Sequence, residues 1–519
     1  MSWKPEADEI AQRRAWAEAH AQSEAAGRYR AQGWKSVRER IALLADPGTF
    51  REVGQLAGQP HYEDGRLVGV TPSAFAMGLA EIGGRPVVIG GDDFSVRGGS
   101  SGGYRAKGGQ NGFSGDLAWE YRIPLVNLYH GSGGSVAGVR SRGHSLFPGS
   151  NSARHFAELL GTVPVASAVM GTSAGGPAGR AVLSHFSVMV RGSSQVFASG
   201  PPVVKRALGI DLTKEELGGA KVAVDTAGTI DNAADSEEEC LAQIRRFLGY
   251  MPQNVWELSP RVEGGDPASR RDEDLLSIVP RNPRQAYDMR RLLRMVVDRE
   301  SFFEIQPTFG RAVIVGLARL DGYVVGIIAN SPMVNGGVVD GAAARKQTRF
   351  IDLCDTFNIP LVFLVDVPGF AIGPQAEAGG ALREGMRCLQ ARMQSTVPII
   401  SVVVRRCFGF GGFATRDNLG LDFKVAWPSA HIGSLPLEGG VLAAYRREIE
   451  AAPDPAARQR EIEDETRHLS SPFRMAEAFA LEDLIDPRET RPYLCQFVRA
   501  MQGRLKQGLG QKGRVGPRA

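Results

Sequence analysis

The sequence contains few cysteines and no long apolar run. Only 5 of the 519 residues are Cys, an odd number without any CxxC pair. This excludes a disulfide framework and a structural zinc site, so we expect a reducing compartment and no bound metal. No apolar stretch approaches the roughly 18 residues that span a membrane, and the N-terminus is polar and charged. We therefore expect a soluble, cytoplasmic protein that has no membrane partner.

Clustered charge is also missing. Lys and Arg number 61 and Asp and Glu 57, which leaves a formal charge of +4 spread along the chain. Nucleic-acid binding is not indicated, while a mild positive bias is compatible with anionic ligands such as coenzyme A. The sequence has no GxSxG elbow, no P-loop and no dinucleotide-binding GxGxxG after a strand. These absences exclude several common classes of hydrolase, nucleotide-binding enzyme and dehydrogenase.

Several segments of the sequence occur twice, in the same order. GLAEIGG at 78–84 returns as GLARLDG at 316–322, an offset of 238 residues, and each copy precedes an apolar run. The other repeated segments are IPLV at 123–126 and 359–362, TVP at 162–164 and 396–398, and the lead-ins DPGTF at 46–50 and DRESF at 298–302. A repeat of this period predicts a duplicated domain and not a solenoid.

The length of the chain agrees with two domains, because single cores stop growing at about 250–300 residues. Pro, Gly and charged residues concentrate between about 255 and 285, as in linkers. We assign residues 1–260 to an N-terminal domain and 261–519 to a C-terminal domain. Short β-branched runs such as 163–170 alternate with helical stretches such as 380–393, which favours an α/β fold with buried parallel strands.

Each half contains a strand that runs into a glycine cluster and then a helix. We call residues 171–179 (GTSAGGPAG) the first glycine loop and residues 405–413 (RRCFGFGGF) the second glycine loop. Glycine permits close approach of a ligand to the backbone, and amides at a helix start point at developing negative charge. One such cluster is weak evidence, because tight turns also use glycine. Two at matching positions predict a pair of oxyanion holes.

Three other segments are candidate ligand loops. GGSSGG at 98–103, with Arg105 and Lys107 nearby, and GSGGS at 131–135 resemble loops that cradle phosphate, although flexible surface loops have the same composition. DVPGF at 366–370 follows a predicted buried strand. A turn is its first interpretation and a ligand-facing loop its second. The histidines are given no role, because a lone histidine is more often structural than catalytic.

Longer segments resemble the β subunits of propionyl-CoA, acetyl-CoA and methylcrotonyl-CoA carboxylases. The similarity extends from residue 38 to residue 492. The most specific segments are VMVRGSS at 188–194, GPPVVK at 200–205, EELGGA at 215–220, YDMR at 287–290, FNIPL at 357–361, VDVPGF at 365–370 and AWPSA at 426–430. This resemblance implies a crotonase-like α/β fold in each half and a hexamer built from dimers. The active site would lie at a dimer interface, between the acyl-CoA side of one subunit and the biotin side of its neighbour.

The resemblance also implies roles for individual residues. By motif match, the catalytic amides belong to Gly175 and Gly176 for the thioester oxygen, and to Phe410 and Gly411 for the ureido oxygen of biotin. The implied acyl-CoA-binding residues are Gly98, Gly99, Ser100, Lys107, Ser132, Gly133, Gly134, Ala174 and Phe413. The implied biotin-binding residues are Pro368, Gly369, Phe370, Gly409 and Gly412.

The cofactor has to be carried by a partner. The sequence contains neither a biotinylation motif nor an ATP-binding loop, so a biotin carboxyl carrier and a biotin carboxylase are the expected partners, with acyl-CoA as the substrate. Two alternatives remain open. One is a biotin-dependent acyl-CoA decarboxylase that runs the same chemistry backward, and the other is a non-catalytic acyl-CoA-binding paralogue.

The sequence departs from the family pattern at the first half of the site. Where the family usually has Asn-Asp-Ser-Gly-Gly-Ala-Arg, residues 130–136 read HGSGGSV, without the acid and the arginine. Ser173 and Pro177 replace a frequent Cys and a bulky residue, and Phe413 stands where propionyl-type enzymes have an acyl-selecting Asp. These differences leave the acyl group undetermined.

Overall fold

The structure is a computed structural model that describes residues 2–20, 23–99, 113–134, 136, 139–140, 143–145, 157–263, 266–413, 423–435, 437–469 and 471–513. It divides into two compact units, Met1–Val255 and Trp256–Ala519. Among the described residues, no helix combines the length and the apolarity needed to cross a membrane.

The described part of the first unit is built on a seven-stranded sheet of order β1-β4-β5-β6-β7-β9-β11. Its strands are β1 Arg51–Glu52, β2 Gly58–Glu63, β3 Arg66–Pro72, β4 Phe75–Ile82, β5 Arg85–Asp92, β6 Leu125–Tyr129, β7 Val165–Val169, β8 Thr172–Ala174, β9 Phe186–Val190, β10 Gln195–Phe197 and β11 Asn232–Ala234. Its helices are α1 Lys4–Ala19, α2 Glu24–Arg30, α3 Val37–Leu44, α4 Ser114–Tyr121, α5 Gly176–Val182, α6 Pro201–Leu208, α7 Lys214–Gly218 and α8 Glu237–Tyr250, with a π-helix at Lys221–Thr226.

The second unit contains an eight-stranded sheet of order β12-β13-β14-β15-β16-β17-β19, with β18 paired to β16. Its strands are β12 Phe303–Ile305, β13 Val313–Leu320, β14 Tyr323–Asn330, β15 Leu361–Val367, β16 Ile399–Phe408, β17 Phe423–Ala426, β18 His431–Gly433 and β19 Asp483–Leu484. Its helices are α9 Met289–Val296, α10 Gly341–Thr356, α11 Pro374–Ala378, α12 Ala381–Gln394, α13 Gly409–Phe413, α14 Leu437–Ala444, α15 Arg446–Ala451, α16 Pro455–Leu469, α17 Pro472–Glu477 and α18 Thr490–Gln507.

Both sheets begin with an antiparallel hairpin and continue with parallel strands. The hairpins β4–β5 and β13–β14 turn at the repeated segment, where Gly83-Gly84 and Asp321-Gly322 all adopt positive φ. Such a turn matches the twist of the flanking strands. The following strands β6, β7, β15 and most of β16 are buried on both faces, as parallel strands covered by helices are. The predicted α/β class is confirmed.

The duplication extends to individual hydrogen bonds. Asp46 Oδ2 accepts from the Gly84 amide at 2.8 Å, and Asp298 Oδ2 accepts from the Gly322 amide at 2.8 Å. In the same way, Arg38 pairs with Glu52 in the first unit, and Arg290 pairs with Glu304 in the second. Matched polar contacts at corresponding positions confirm that the two units are copies of one fold.

Candidate active site

The first glycine loop joins β7 to α5 through the short strand β8. Gly175 has φ 64° and ψ −119°, a conformation that side chains rarely tolerate, and it precedes the first helical residue, Gly176. The Gly175 amide donates to the Phe197 carbonyl at 3.1 Å. This amide therefore already has a hydrogen-bond partner in the chain. Gly175 turns the backbone and does not offer its amide to the thioester oxygen, as the resemblance implied it would. The Gly176 amide, at the start of the helix, has no intrahelical partner.

The loop at 131–134 lies directly against this amide. The Gly133 amide donates to the Ala174 carbonyl at 3.0 Å, and Ala174 donates to the Gly131 carbonyl at 3.1 Å. A Cβ atom on Gly133 would lie only 2.7 Å from the Gly176 nitrogen. Glycine at 133 is therefore what lets the two loops approach, and the exposed residue Gly176 lies beside them.

The turn at Gly98-Gly99 packs on the same loop. Ser132 donates its amide to the Gly98 carbonyl at 3.3 Å, and a Cβ on Gly99 would be 2.7 Å from the Gly131 Cα. The structure thus brings together most of the residues that the sequence implied for the acyl-CoA side: Gly98, Gly99, Ser132, Gly133, Gly134, Ala174, Gly175 and Gly176. Ser100 and Lys107 lie outside the described residues.

A buried ionic and aromatic cluster supports the first glycine loop. Arg40 pairs with Glu237 and donates Nη2 to the carbonyl of Met170, the residue before the loop, at 2.7 Å. Arg40 Nη1 donates to His130 Nδ1 at 3.3 Å, so the proton of His130 is assigned to Nε2. The His130 ring stacks on Phe94 with centroids 4.3 Å apart. Sequence reasoning missed this cluster, because no local signal links Arg40 to Glu237.

Two titratable groups of this cluster have displaced pKa values. Burial raises the pKa of Asp92 to about 7, against the opposing effects of Arg180, the His130 amide and Arg40. The pKa of His130 is well below its ordinary value, because burial and the charges of Arg40 and Lys214 disfavour the imidazolium. The neutral His130 is therefore packed within this cluster.

The second glycine loop follows the end of β16. Ala174 in β8 pairs with Phe197, and Phe408 pairs with Gly433, so Gly409 corresponds to Gly175. Gly409 has φ 56°, close to the 64° of Gly175. The residue equivalent to Gly176 is therefore Phe410, whose ring is 57% exposed. Phe410 and Gly411 belong to the first turn of α13, so their amides lack intrahelical partners.

The turn at Pro368-Gly369-Phe370 lies under this loop. A Cβ on Gly411 would be 2.8 Å from Val367 Cγ2 and 3.0 Å from the Gly369 Cα. The Val339 amide donates to the Gly369 carbonyl at 3.1 Å and holds the turn. The second half thus gathers the residues predicted for the biotin side: Pro368, Gly369, Phe370, Gly409, Phe410, Gly411 and Gly412. Phe413, predicted for the acyl-CoA side, follows on the same helix, and its carbonyl accepts from Arg392 at 3.4 Å.

Two arginines share one fully buried carboxylate at the base of the second glycine loop. Arg405 Nε lies 3.0 Å from Asp366 Oδ2, and Arg406 Nε lies 2.6 Å from Asp366 Oδ1. Arg406 also donates to the Gly336 carbonyl at 2.6 Å. The turn Gly336-Gly337 has φ values of 63° and 84°, which match the 65° and 68° of Gly98-Gly99. Gly336-Gly337 is thus the counterpart of Gly98-Gly99. It was not predicted from the sequence, although the two turns are 238 residues apart, as the two hairpin turns are.

Comparison with known proteins identifies the family. The model of the carboxyl transferase domain matches residues 28–512. The chain belongs to the carboxyl transferase family. One relative of this carboxyl transferase is the carboxyltransferase subunit of propionyl-CoA carboxylase from Haloferax mediterranei, 38% identical, with 92% of this chain and 93% of the relative covered. Another is the α subunit of methylmalonyl-CoA decarboxylase from Veillonella parvula, 35% identical, with 89% of each chain covered.

Solved structures agree with the fold of this carboxyl transferase. The transcarboxylase 12S hexamer, crystallised with methylmalonyl-CoA bound, is 30% identical and superposes with a TM-score of 0.87, covering 100% of this chain and 97% of its own. The two tandem crotonase-like units predicted from the sequence are confirmed. So is the enzyme class: the chain is a carboxyltransferase of the biotin-dependent acyl-CoA carboxylase group.

Proposed function

We propose that the first unit holds the acyl-CoA and the second unit holds the biotin of a partner protein. One arrangement recurs and supports two such sites: in each unit a glycine of positive φ turns the chain into a helix whose first amides lack internal partners. The assignment of each reactant to one unit follows the family resemblance. Both reactants of a carboxyl transfer pass through an oxyanion, one on the thioester and one on the ureido group. Two such loops meet that need.

On the acyl-CoA side, the Gly176 amide hydrogen-bonds the thioester oxygen and stabilises the enolate formed when the α-proton leaves. The loop at 131–134 and the turn Gly98-Gly99 form the wall beside it, with backbone groups suited to the thioester and its polar tail. In the net reaction the α-carbon gains the carboxyl group and loses its proton, while the biotin nitrogen loses the carboxyl group and regains a proton.

On the biotin side, the residues present fit a flat ureido ring. A Cβ on Gly369 would meet nothing within 4 Å, so space lies open beside the turn, and the exposed Phe410 precedes Gly411, which packs on Gly369. Bound biotin supplies an activated carboxyl group on its ureido nitrogen. The amides of Phe410 and Gly411 hold the ureido oxygen, and Pro368, Gly369, Phe370, Gly409 and Gly412 shape the floor.

One relative supports a proposal about the assembly. The transcarboxylase 12S relative is a hexamer, and we place this chain in a hexamer as well, served by a biotin carboxylase and a biotin carboxyl carrier. Light scattering of the purified chain gives the mass of a hexamer on this account, and an active monomer contradicts it. The five cysteines are all free, which supports a reducing compartment such as the cytoplasm.

A second candidate direction is decarboxylation. It is favoured by the decarboxylase relative, which at 35% identity is nearly as similar as the carboxylase relative. Reconstitution with the biotin-carrying partner and a panel of acyl-CoA thioesters, each with labelled bicarbonate and ATP, tests the carboxylase proposal. ATP-dependent labelling of one thioester supports it. Labelling of none, together with biotin-dependent release of bicarbonate from a carboxylated thioester, favours the decarboxylase.

A further inference from the structure

Arg180 lies beside the first glycine loop. It lies on α5, four residues after Gly176, and its guanidinium carbon is 5.9 Å from the centre of the Tyr129 ring. Arg180 Nε is buried without a hydrogen-bond partner, and so is the Tyr129 hydroxyl beneath it. Within the part of the chain that the structure describes, Arg180 forms no ion pair.

The free end of this guanidinium reaches the thioester side of the loop. A Cβ atom built on Gly176 would lie 3.6 Å from Arg180 Nη1, 3.9 Å from Arg180 Nη2 and 3.8 Å from the Gly133 Cα. The two terminal nitrogens, the Gly133 backbone and the exposed Gly176 residue therefore border one small space. A ligand group that fills this space beside Gly176 therefore contacts the guanidinium.

One buried acid, Asp92, interacts electrostatically with Arg180 but does not pair with it. Asp92 is buried, accepts from the His130 amide at 3.2 Å, and makes no ion pair with Arg180. Its pKa of about 7 leaves much of it protonated at neutral pH. A partly desolvated guanidinium without a carboxylate partner favours an anionic ligand, and the planar fork suits a carboxylate.

We propose that Arg180 binds the carboxylate of the carboxylated acyl-CoA, and so distinguishes the product of carboxylation from its substrate. This inference rests on the proposed function, in which the thioester oxygen sits at Gly176. The new carboxylate is attached to the carbon next to that thioester carbonyl, so it falls near the guanidinium. The uncarboxylated acyl-CoA has no anionic group at this place, and its neutral thioester oxygen is the weaker acceptor.

The phosphates of coenzyme A are the other possible anion, and a binding experiment separates the two sources. Malonyl-CoA and acetyl-CoA carry identical phosphates and differ in the carboxylate. Each is titrated by calorimetry into the purified full-length chain and into Arg180→Met, Arg180→Lys and a control, Arg206→Met. Arg206 is exposed on α6 and belongs to neither glycine loop. Circular dichroism verifies that each variant is folded.

Loss of a charge-assisted bidentate contact predicts that Arg180→Met weakens malonyl-CoA binding about 10- to 100-fold and changes acetyl-CoA binding less than about threefold. Arg180→Lys, which keeps the charge and loses the fork, should fall between, and Arg206→Met should bind both like the wild type. Equal weakening of both thioesters assigns Arg180 to the phosphates and overturns the proposal, as does no weakening of either. If the wild type binds neither thioester, the proposed function itself fails.

Discussion

Replacing the amide hydrogen of Gly176 tests the proposed acyl-CoA side. Gly176→Pro puts a ring carbon on this nitrogen, which faces Gly133, at the first helical position, where helices accept proline. The chain already starts α6 in this way, with Pro201 and Pro202 after Gly200. A residue before proline prefers an extended ψ, and the ψ of −119° at Gly175 is the mirror image of that value. Glycine adopts both conformations equally, so Gly175 is compatible with a proline at position 176.

The expected magnitude comes from the loss of one oxyanion donor. Such a loss costs about 10²–10³ in turnover, or roughly 3–4 kcal/mol of transition-state stabilisation. Gly176→Ala is the matched control, because it keeps the amide and adds the same Cβ. That Cβ would meet its neighbours at 3.6 Å or more, which is ordinary contact. Gly176→Ala should therefore remain within about tenfold of the wild type, a loss of up to roughly 1.4 kcal/mol.

Two measurements show which step of the reaction the substitution affects. Carboxylation is measured with the biotin-carrying partner, and exchange of the acyl-CoA α-proton with deuterated water is followed by mass spectrometry. Both should fall together in Gly176→Pro, since both require the enolate, while acyl-CoA affinity changes little. If Gly176→Pro and Gly176→Ala lose activity equally, the added carbon is responsible and the amide is not an oxyanion donor. Full activity of the proline variant leads to the same conclusion.

Three further substitutions probe the surroundings of the two loops. The raised pKa of Asp92 means that the folded chain holds a proton between about pH 4 and 7 that the unfolded chain releases, so this group lowers stability as the pH rises through that window. Asp92→Asn, which copies Asn330 of the second unit, should raise the free energy of unfolding in urea at pH 8 by up to about 4 kcal/mol and change it little at pH 4; a decrease at pH 8 contradicts this. Asp366→Asn leaves two arginines without a full countercharge and should lower the free energy of unfolding, measured in urea, by about 3–5 kcal/mol. An unchanged free energy of unfolding contradicts this. Gly411→Ala places a Cβ 3.0 Å from a neighbouring backbone and should lower the melting temperature. The control Gly439→Ala should not, because Gly439 is helical and faces open space. Equal melting temperatures of the two variants would show that the second loop is loosely packed.

The architecture was predictable because its signals are local and repeated. The turn at Gly83-Gly84 and its copy at Asp321-Gly322 each need positive φ, so both retain glycine-rich text at a constant offset. Buried parallel strands are also recognisable in the sequence as apolar runs. These local patterns are why the duplication, the class of fold and the position of both glycine loops could be predicted.

The finer features depended on contacts between distant residues. The Gly175 amide is occupied by Phe197, which sits on a separate two-stranded sheet, and nothing in the loop itself indicates this. The pairing of Arg40 with Glu237 joins residues 197 positions apart. No sequence pattern distinguishes Arg180 from the other arginines. Its buried Nε, its position over Tyr129 and its distance from Gly176 are visible only in the structure.

The central claim, carboxyl transfer between a thioester and biotin, is tested most directly without ATP or any partner. The purified chain is incubated with free biotin and, in turn, with each of a panel of carboxylated thioesters labelled in the carboxyl group, among them malonyl-CoA and methylmalonyl-CoA. The label in carboxybiotin is counted after rapid quenching. The account predicts biotin-dependent transfer of label, lost in Gly176→Pro. It also predicts that the chain alone, given ATP, labelled bicarbonate and an acyl-CoA, forms no acid-stable product. Absence of transfer to biotin, or ATP-dependent fixation of bicarbonate by this chain alone, contradicts the account.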